Sequence, residues 1–117
     1  MSEYNLKQYA HIGDAVWELF IREKIVKFSP NLKLLHQNTV KFVRAEFQSQ
    51  VLTLLALTDE ERELIKRGRN LPLTINKKNN QSTHRYATAF EVLIGYLYLN
   101  NKERLCEIFE FIEKNAL

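Results

Sequence analysis

Apolar residues recur along most of the chain at the three- and four-residue spacing of amphipathic helices. Between residues 31 and 57 this spacing predicts two helices, and residues 102–116 form a predicted final amphipathic helix after a break at Asn100-Asn101. No internal repeat, low-complexity segment or domain boundary interrupts the pattern. We therefore predict an all-α helical bundle, organised as a single domain over residues 1–117.

A helix is also predicted over residues 12–27, where two stripes of side chains can be drawn at 100° per residue. Two acids one turn apart, Asp14 and Glu18, share the second stripe with Ile21, so neither acid lies on an obviously solvated face. The first stripe is apolar and is expected to face the core; it consists of Ile12, Val16, Leu19, Phe20 and Val26.

Glu91 is the only charged residue in the apolar run 87–99. Apolar side chains surround it on any helix drawn through this run, so we expect Glu91 to be at least partly buried. A buried carboxylate is unfavourable unless a cation, a metal ion or hydrogen-bond donors compensate it. Since the run contains no Lys or Arg, that partner must come from elsewhere in the fold.

Asp14 and Glu91 are candidates for one carboxylate cluster, and whether Glu18 joins them is left open by the pattern. Oxygen ligands without Cys or paired His suit Mg²⁺ or Mn²⁺ better than Zn²⁺. Gly13 and Gly95 stand beside the acids. These small residues indicate either close helix–helix packing or room for an ion or phosphate to approach.

Composition narrows the class of protein. Few glycines and prolines (3 and 2) among 45% apolar residues favour a helical globular protein, and the single Cys106 excludes an internal disulfide and a Cys-based metal site. A core of this size is modest, so dimerisation would help stability. We expect a cytoplasmic protein, because we see no signal peptide and the run 87–99 is too short and too charged to span a membrane.

The positive charge is concentrated in one part of the chain. Residues 64–90 contain six basic residues and no acid, whereas the rest has 11 basic and 14 acidic residues. This distribution indicates a polyanion-binding surface beside an acidic pocket; the alternative is an ordinary solvated loop. Within the segment, residues 68–82 form the longest irregular stretch. A capping box at Thr58-Asp59-Glu60-Glu61 opens the preceding helix, Gly68 is its predicted C′ residue, and Ser82 or Thr83 is expected to cap the next helix.

Two motifs resemble a known family. The segment Ile12-Gly13-Asp14-Ala15-Val16 is similar to the signature helix of ribonuclease III domains, and Phe90 to Leu99 resembles that family's second acidic helix. The resemblance is strongest to the Mini-ribonuclease III (Mini-III) branch, which has the catalytic domain without a double-stranded RNA-binding domain. Two further acids of full-length ribonuclease III enzymes are replaced here by Ala10 and Thr88, as the Mini-III resemblance implies.

The resemblance implies a dimeric, metal-dependent endoribonuclease that cleaves double-stranded RNA. Asp14 and Glu91 would be the catalytic and Mg²⁺-binding residues, with Mn²⁺ expected to substitute, and Glu18 is expected to be structural, paired with Arg22 or Arg85. We expect His11 to act in packing or phosphate contact rather than in catalysis. The residues expected to contact RNA are Arg67, Arg69, Asn70, Lys77, Lys78, His84 and Arg85.

By the same resemblance, the substrate is the stem formed by the ends of precursor 23S ribosomal RNA, and each subunit of a homodimer cuts one strand. The sequence leaves open whether a ribosomal protein first remodels that RNA. One alternative is a catalytically inactive ribonuclease III-like module that binds RNA or the ribosome. Another is a helical dimeric interaction protein that binds no nucleic acid, against which the acid-free basic segment argues.

Overall fold

The computed structural model describes residues 4–28, 30–72 and 81–117, and these residues form helices and connections without a strand. The predicted all-α fold is confirmed, including the division of residues 31–57 into two helices. The elements are α1 (Leu6–Ile25), a short 3₁₀ turn (Val26–Phe28), α2 (Leu32–Val43), α3 (Ala45–Leu54), α4 (Asp59–Arg69), α5 (Gln81–Asn100) and α6 (Lys102–Ala116).

Polar residues at the helix starts bind backbone N–H groups that have no partner inside the helix. Thr58 and Glu61 form the predicted reciprocal capping box at the start of α4, and Asn5 begins α1 with a similar box. Through their side chains, Asn31 accepts two backbone N–H groups at the start of α2, and Asn101 accepts one at the start of α6. Local side-chain chemistry therefore sets the start of four helices.

Helix α5 is the centre of the bundle and packs against α1, α3, α4 and α6. Its apolar side chains join those of α1 around Trp17, which is fully buried and meets Phe90 edge-to-face with 5.0 Å between ring centroids. The Trp17 indole N–H donates to the Phe42 carbonyl at 3.1 Å, so the ring also holds the end of α2. The core thereby fixes α1, α2 and α5 relative to one another.

The buried face of α1 differs from the predicted one. Leu19 and Val26, expected in the core, are each 59% exposed. The buried side instead carries Tyr9, Gly13, Trp17, Ile21 and Ile25, and of the predicted stripe only Phe20 is buried. Apolar residues occur all round this helix, so periodicity could not show which side the large rings would anchor against α5.

Gly68 was wrongly predicted to end α4, because the helix continues to Arg69. Gly68 is buried within the helix, and a Cβ atom placed on it would lie 3.0 Å from the Ala89 Cα. The glycine therefore serves close packing of α4 on α5. Helix α5 already includes Gln81, one residue before the predicted caps, and the part of the predicted loop at 73–80 lies outside the described residues.

A partly buried ion pair links α4 to α6. The Arg104 guanidinium donates to both carboxylate oxygens of Glu61, at 2.8 and 2.9 Å, and to the Ala56 carbonyl at 2.8 Å. The guanidinium holds the pKa of the Glu61 carboxyl below its usual range, against the opposing effect of burial. Two-point pairing of this kind is strong and directional.

Among the described helices, none is long and apolar enough to cross a membrane.

Candidate active site

The candidate site lies where α1 crosses α5 with almost no space between their backbones. A Cβ atom added to Gly13 would lie 1.8 Å from the Glu91 carbonyl oxygen, and one added to Gly95 would lie 1.9 Å from the Tyr9 carbonyl oxygen. Each glycine therefore fits against the other helix only because it has no side chain. Of the two readings left open for these residues, close helix packing is the one observed.

This crossing brings Asp14 and Glu91 together. Asp14 follows Gly13 in α1, and its charge and a side-chain hydrogen bond from it both raise the pKa of the Glu91 carboxyl group, which places the two acids near each other. Asp14 is exposed, contrary to the expectation that it avoids solvent, whereas Glu91 is half-buried, as predicted. Solvent thus reaches the pair from the Asp14 side, and the protein encloses it from the Glu91 side.

The electrostatics of the pair follow from this geometry. Burial, first, and then the negative charge and hydrogen bond of Asp14 together raise the pKa of the Glu91 carboxyl to about 8, against the opposing effect of a hydrogen bond from Gln48. No Lys, Arg or His forms an ion pair with Glu91 in the described part of the chain. The charged form of Glu91 therefore lacks a cationic partner from the described residues.

A divalent cation suits this donor set. Two adjacent carboxylates offer the hard oxygen ligands that Mg²⁺ and Mn²⁺ prefer, and a cation there would relieve the repulsion between them. Across residues 4–28, 30–72 and 81–117, no group of three or more His, Cys, Asp and Glu residues is placed to hold a metal. Within these ranges Asp14 and Glu91 therefore form a pair without a third such group beside them.

Glu18 does not join the cluster. Its carboxylate accepts from the Arg22 guanidinium at 2.9 Å, one turn along α1, and its side chain is 41% exposed. The expected pairing with Arg22 is present, and Glu18 as a whole residue is half-buried. Exposed pairs of this type stabilise a helix only slightly.

Gln48 is a member of the site that the sequence did not indicate. It lies on α3, is 2% exposed, and its Nε2 atom donates to Glu91 Oε2 at 3.4 Å. In the sequence it stands in the run Gln48-Ser49-Gln50, where nothing distinguishes a buried amide from its exposed neighbour. Only the packing of α3 on α5 shows which of the two glutamines faces the acid.

The predicted RNA-contacting residues that the structure describes cluster at the end of α4 and the start of α5. Arg85 donates to the carbonyls of Arg69 and Leu71, at 3.4 and 3.1 Å, and so caps the end of α4. Arg69 donates to the Tyr86 hydroxyl at 3.3 Å, with its guanidinium 5.8 Å from that ring centroid.

The remaining predicted contacts differ in exposure. Arg67 and Asn70 are exposed, and His84 is half-buried. Lys77 and Lys78 lie outside the described residues. Arg69 and Arg85 therefore shape the segment through contacts within the protein, while Arg67 and Asn70 present polar groups to solvent.

Comparisons with known proteins show which family the chain belongs to. The family model described as Ribonuclease III domain matches residues 7–102. A protein named Mini-ribonuclease 3 from Gloeobacter violaceus is 40% identical over 94% of this chain and 83% of its own length, and one from Thermoanaerobacter sp. is 44% identical over 86% and 75%. A crystal structure of a protein from Fusobacterium nucleatum has a TM-score of 0.86 at 30% identity, covering 98% of this chain and 96% of that chain.

The match of the family model includes Asp14 and Glu91 on the two crossing helices. The relatives are similar over most of their own length as well as most of this chain. The chain described here therefore belongs to the ribonuclease III family, in its Mini-ribonuclease 3 branch.

Proposed function

We propose that this endoribonuclease cleaves double-stranded RNA with a divalent ion, Mg²⁺ with Mn²⁺ as a substitute, bound by Asp14 and Glu91. The observation that supports it is the close pair of carboxyl groups without a cationic partner among the described residues. Two like charges held together by the fold are unfavourable in the metal-free protein. A divalent cation bound by both carboxylates would offset this repulsion.

The two acids have different parts in this proposal. Exposed Asp14 lies where a phosphate of the RNA backbone can approach, and half-buried Glu91 anchors the site to the core helix α5. When bound, the ion supplies charge neutralisation at the phosphate and activation of water for phosphodiester hydrolysis. Mg²⁺ retains several waters where few protein groups bind it, so two carboxylates suffice.

RNA recognition is proposed to involve the basic segment at the end of α4 and the start of α5. Arg67 and Asn70 would meet the backbone directly, Arg69 and His84 would line the same surface, and Arg85 would hold the segment in shape. Lys77 and Lys78 remain sequence-based candidates. A-form RNA is recognised largely by shape and by its phosphates and 2′-hydroxyls, so binding should weaken steeply with salt.

The proposed substrate is the double-stranded stem formed by the ends of precursor 23S ribosomal RNA, and the proposed active form is a cytoplasmic homodimer. Both rest on the family resemblance. Each subunit would supply one pair of acids, so that the two strands of a duplex are cut at separate sites.

Cleavage assays with acid-to-amide variants test the proposal. We expect the wild-type protein to cut long duplex RNA in Mg²⁺ or Mn²⁺ and not in EDTA, and to leave single-stranded RNA of the same sequence uncut. Asp14→Asn and Glu91→Gln should each lower the cleavage rate by about a hundredfold or more, since each removes several kcal/mol of metal-dependent stabilisation. Glu18→Gln, one turn from Asp14, is the matched control and should keep most of the activity.

The possible results separate the alternatives. Metal-dependent cleavage that requires both acids supports the proposal. Duplex binding without cleavage indicates an inactive RNA-binding module, and neither binding nor cleavage indicates a protein-interaction role. Near-normal cleavage by either acid variant would contradict the assignment of the site.

A further inference from the structure

Gln48 is a buried polar residue whose amide N–H points at the candidate metal ligand. It is 2% exposed, and its Nε2 donates to Glu91 Oε2 at 3.4 Å. A buried amide needs a hydrogen-bond partner, and here that partner is the acid at the centre of the site.

Packing of α3 in the core fixes the position of Gln48. Its neighbour Phe47 stacks on Trp17 with 6.2 Å between ring centroids, and Val51, one turn further along α3, is buried. Trp17 in turn holds the end of α2 through the Phe42 carbonyl. Helix α3 therefore places the Gln48 amide at a fixed position beside Glu91 on α5.

The geometry points to Gln48 as a positioning residue: its amide N–H holds the Glu91 carboxylate in the orientation in which it binds the divalent ion. This inference rests on the proposed function. A carboxylate on a flexible side chain can turn away from an ion, and a donor on one of its oxygens restricts that rotation. Groups that orient metal ligands in this way typically contribute 10- to 100-fold to metal affinity or activity.

Gln48→Met tests the inference, because methionine has nearly the same length and volume and cannot donate a hydrogen bond. We expect the Mn²⁺ dissociation constant, measured from the electron paramagnetic resonance signal of free Mn²⁺ without RNA, to rise about tenfold or more. Cleavage should be impaired at low Mn²⁺ and recover at saturating Mn²⁺. Gln50→Met, at an exposed position on the same helix, should match the wild type in both measurements.

A second measurement uses the unaltered protein and so does not depend on how the variant folds. In ¹⁵N-labelled wild-type protein, the side-chain NH₂ resonances of Gln48 should shift as Mg²⁺ is added, because the carboxylate that accepts from them becomes a metal ligand. The side-chain resonances of Gln50 should stay in place.

Two results would overturn the positioning role: equal Mn²⁺ affinity of the wild type and Gln48→Met, or Gln48 resonances that do not move while Mg²⁺ saturates the protein. A defect in cleavage that persists at all Mn²⁺ concentrations would also contradict it, because it would mark a general structural loss. Absence of Mn²⁺ binding by the wild type would instead reject the metal site itself, and with it the proposed function.

Discussion

The Glu91 carboxyl group opposes folding of the metal-free protein whenever it is ionised. Its pKa is raised by burial and by Asp14 from 4.5 to about 8. Between these values the folded state binds more protons than the unfolded state. Stability therefore falls as pH rises from about 4.5 to about 8, and the full contribution of the protonated acid is present only below that range.

Glu91→Gln should remove this pH dependence. In EDTA, we expect the variant to melt at a higher temperature than the wild type near pH 8, and the difference to shrink towards pH 4.5. Since 1 kcal/mol corresponds to roughly 4 °C in a domain near this size, a difference of about 4 °C or more should be visible by calorimetry or circular dichroism.

Glu23→Gln, which alters an exposed acid on α1, is the control and should show no comparable trend. Mg²⁺ should raise the melting temperature of the wild type near pH 8 and leave that of Glu91→Gln almost unchanged. A difference between Glu91→Gln and wild type that stays constant over the whole pH range would refute the raised pKa.

At the level of single residues, the acids were predictable and their helper was not. Glu91 was identifiable as the one charge in an apolar run, and Asp14 by its place beside apolar positions and in a recognisable motif. Gln48 stands among other polar residues, and its burial results from which side of α3 faces α5. The exposure of Asp14 was likewise set by packing, because the side of α1 that faces α5 is determined by Tyr9 and Trp17.

The spacing between helices α1 and α5 depends on the absence of a side chain at Gly13 and at Gly95. The contacts of an added Cβ at both positions are with backbone atoms, which cannot rotate away as a side chain can. Gly68 is less constrained, because its added Cβ would lie 3.0 Å from the Ala89 Cα. The three glycines therefore provide a graded series.

Alanine substitutions should separate these positions. We expect Gly13→Ala and Gly95→Ala each to lower the free energy of unfolding by about 3 kcal/mol or more, because overpacking forces the helices apart. Gly68→Ala should be much milder, since the gain of roughly 1 kcal/mol in helix propensity offsets a smaller clash. Urea denaturation monitored by circular dichroism measures the differences.

One result of these alanine substitutions would contradict the close crossing of the two helices. If Gly95→Ala unfolds at the same urea concentration as Gly68→Ala, the close crossing of α1 and α5 is not as described. Cleavage by any variant that still folds adds a second reading, because parting the helices should also part Asp14 from Glu91.

Helix boundaries were predictable where a side chain marks them. The capping box at Thr58 and the break at Asn100-Asn101 were read correctly, since their hydrogen bonds are local to the sequence. Gly68 was misread, because a glycine suited to ending a helix is equally suited to close packing within one. Local sequence does not distinguish these two uses.

In the whole molecule, α1 leaves apolar surface uncovered. Leu19 is 59% exposed, and Ile12 and Val16, on the same stripe, are only partly covered by this chain. These are residues that the periodicity placed in a core. Contact with a second copy would bury them, which agrees with the proposed homodimer.

Leu19→Glu should therefore convert the dimer to a monomer, because the interface would have to bury a charge without a partner. Light scattering coupled to gel filtration would measure the mass. Leu54→Glu, at a 51% exposed position at the end of α3, is the matched control and should stay dimeric. A wild-type protein that is fully active as a monomer, or a Leu19→Glu variant that remains a dimer, would contradict the proposed assembly.

Family and fold class could be predicted from this one sequence because two motifs, around Asp14 and Glu91, occur in the right order on helices of the right character. The subunit interface, the metal and the natural RNA stay predictions, since each depends on a molecule beyond the single chain. A second copy that covers Leu19 would also explain why the buried face of α1 was misassigned.

The contact between Gly13 and the Glu91 backbone has a consequence for how this protein can change over time. Because the atoms nearest to Gly13 are backbone atoms of α5, no side chain at this contact can adopt another rotamer. Substitutions in α2 or α6 can loosen or tighten the outer bundle while the reach between the two acids stays constant. The spacing of the two acids is thereby insulated from sequence drift in α2 and α6.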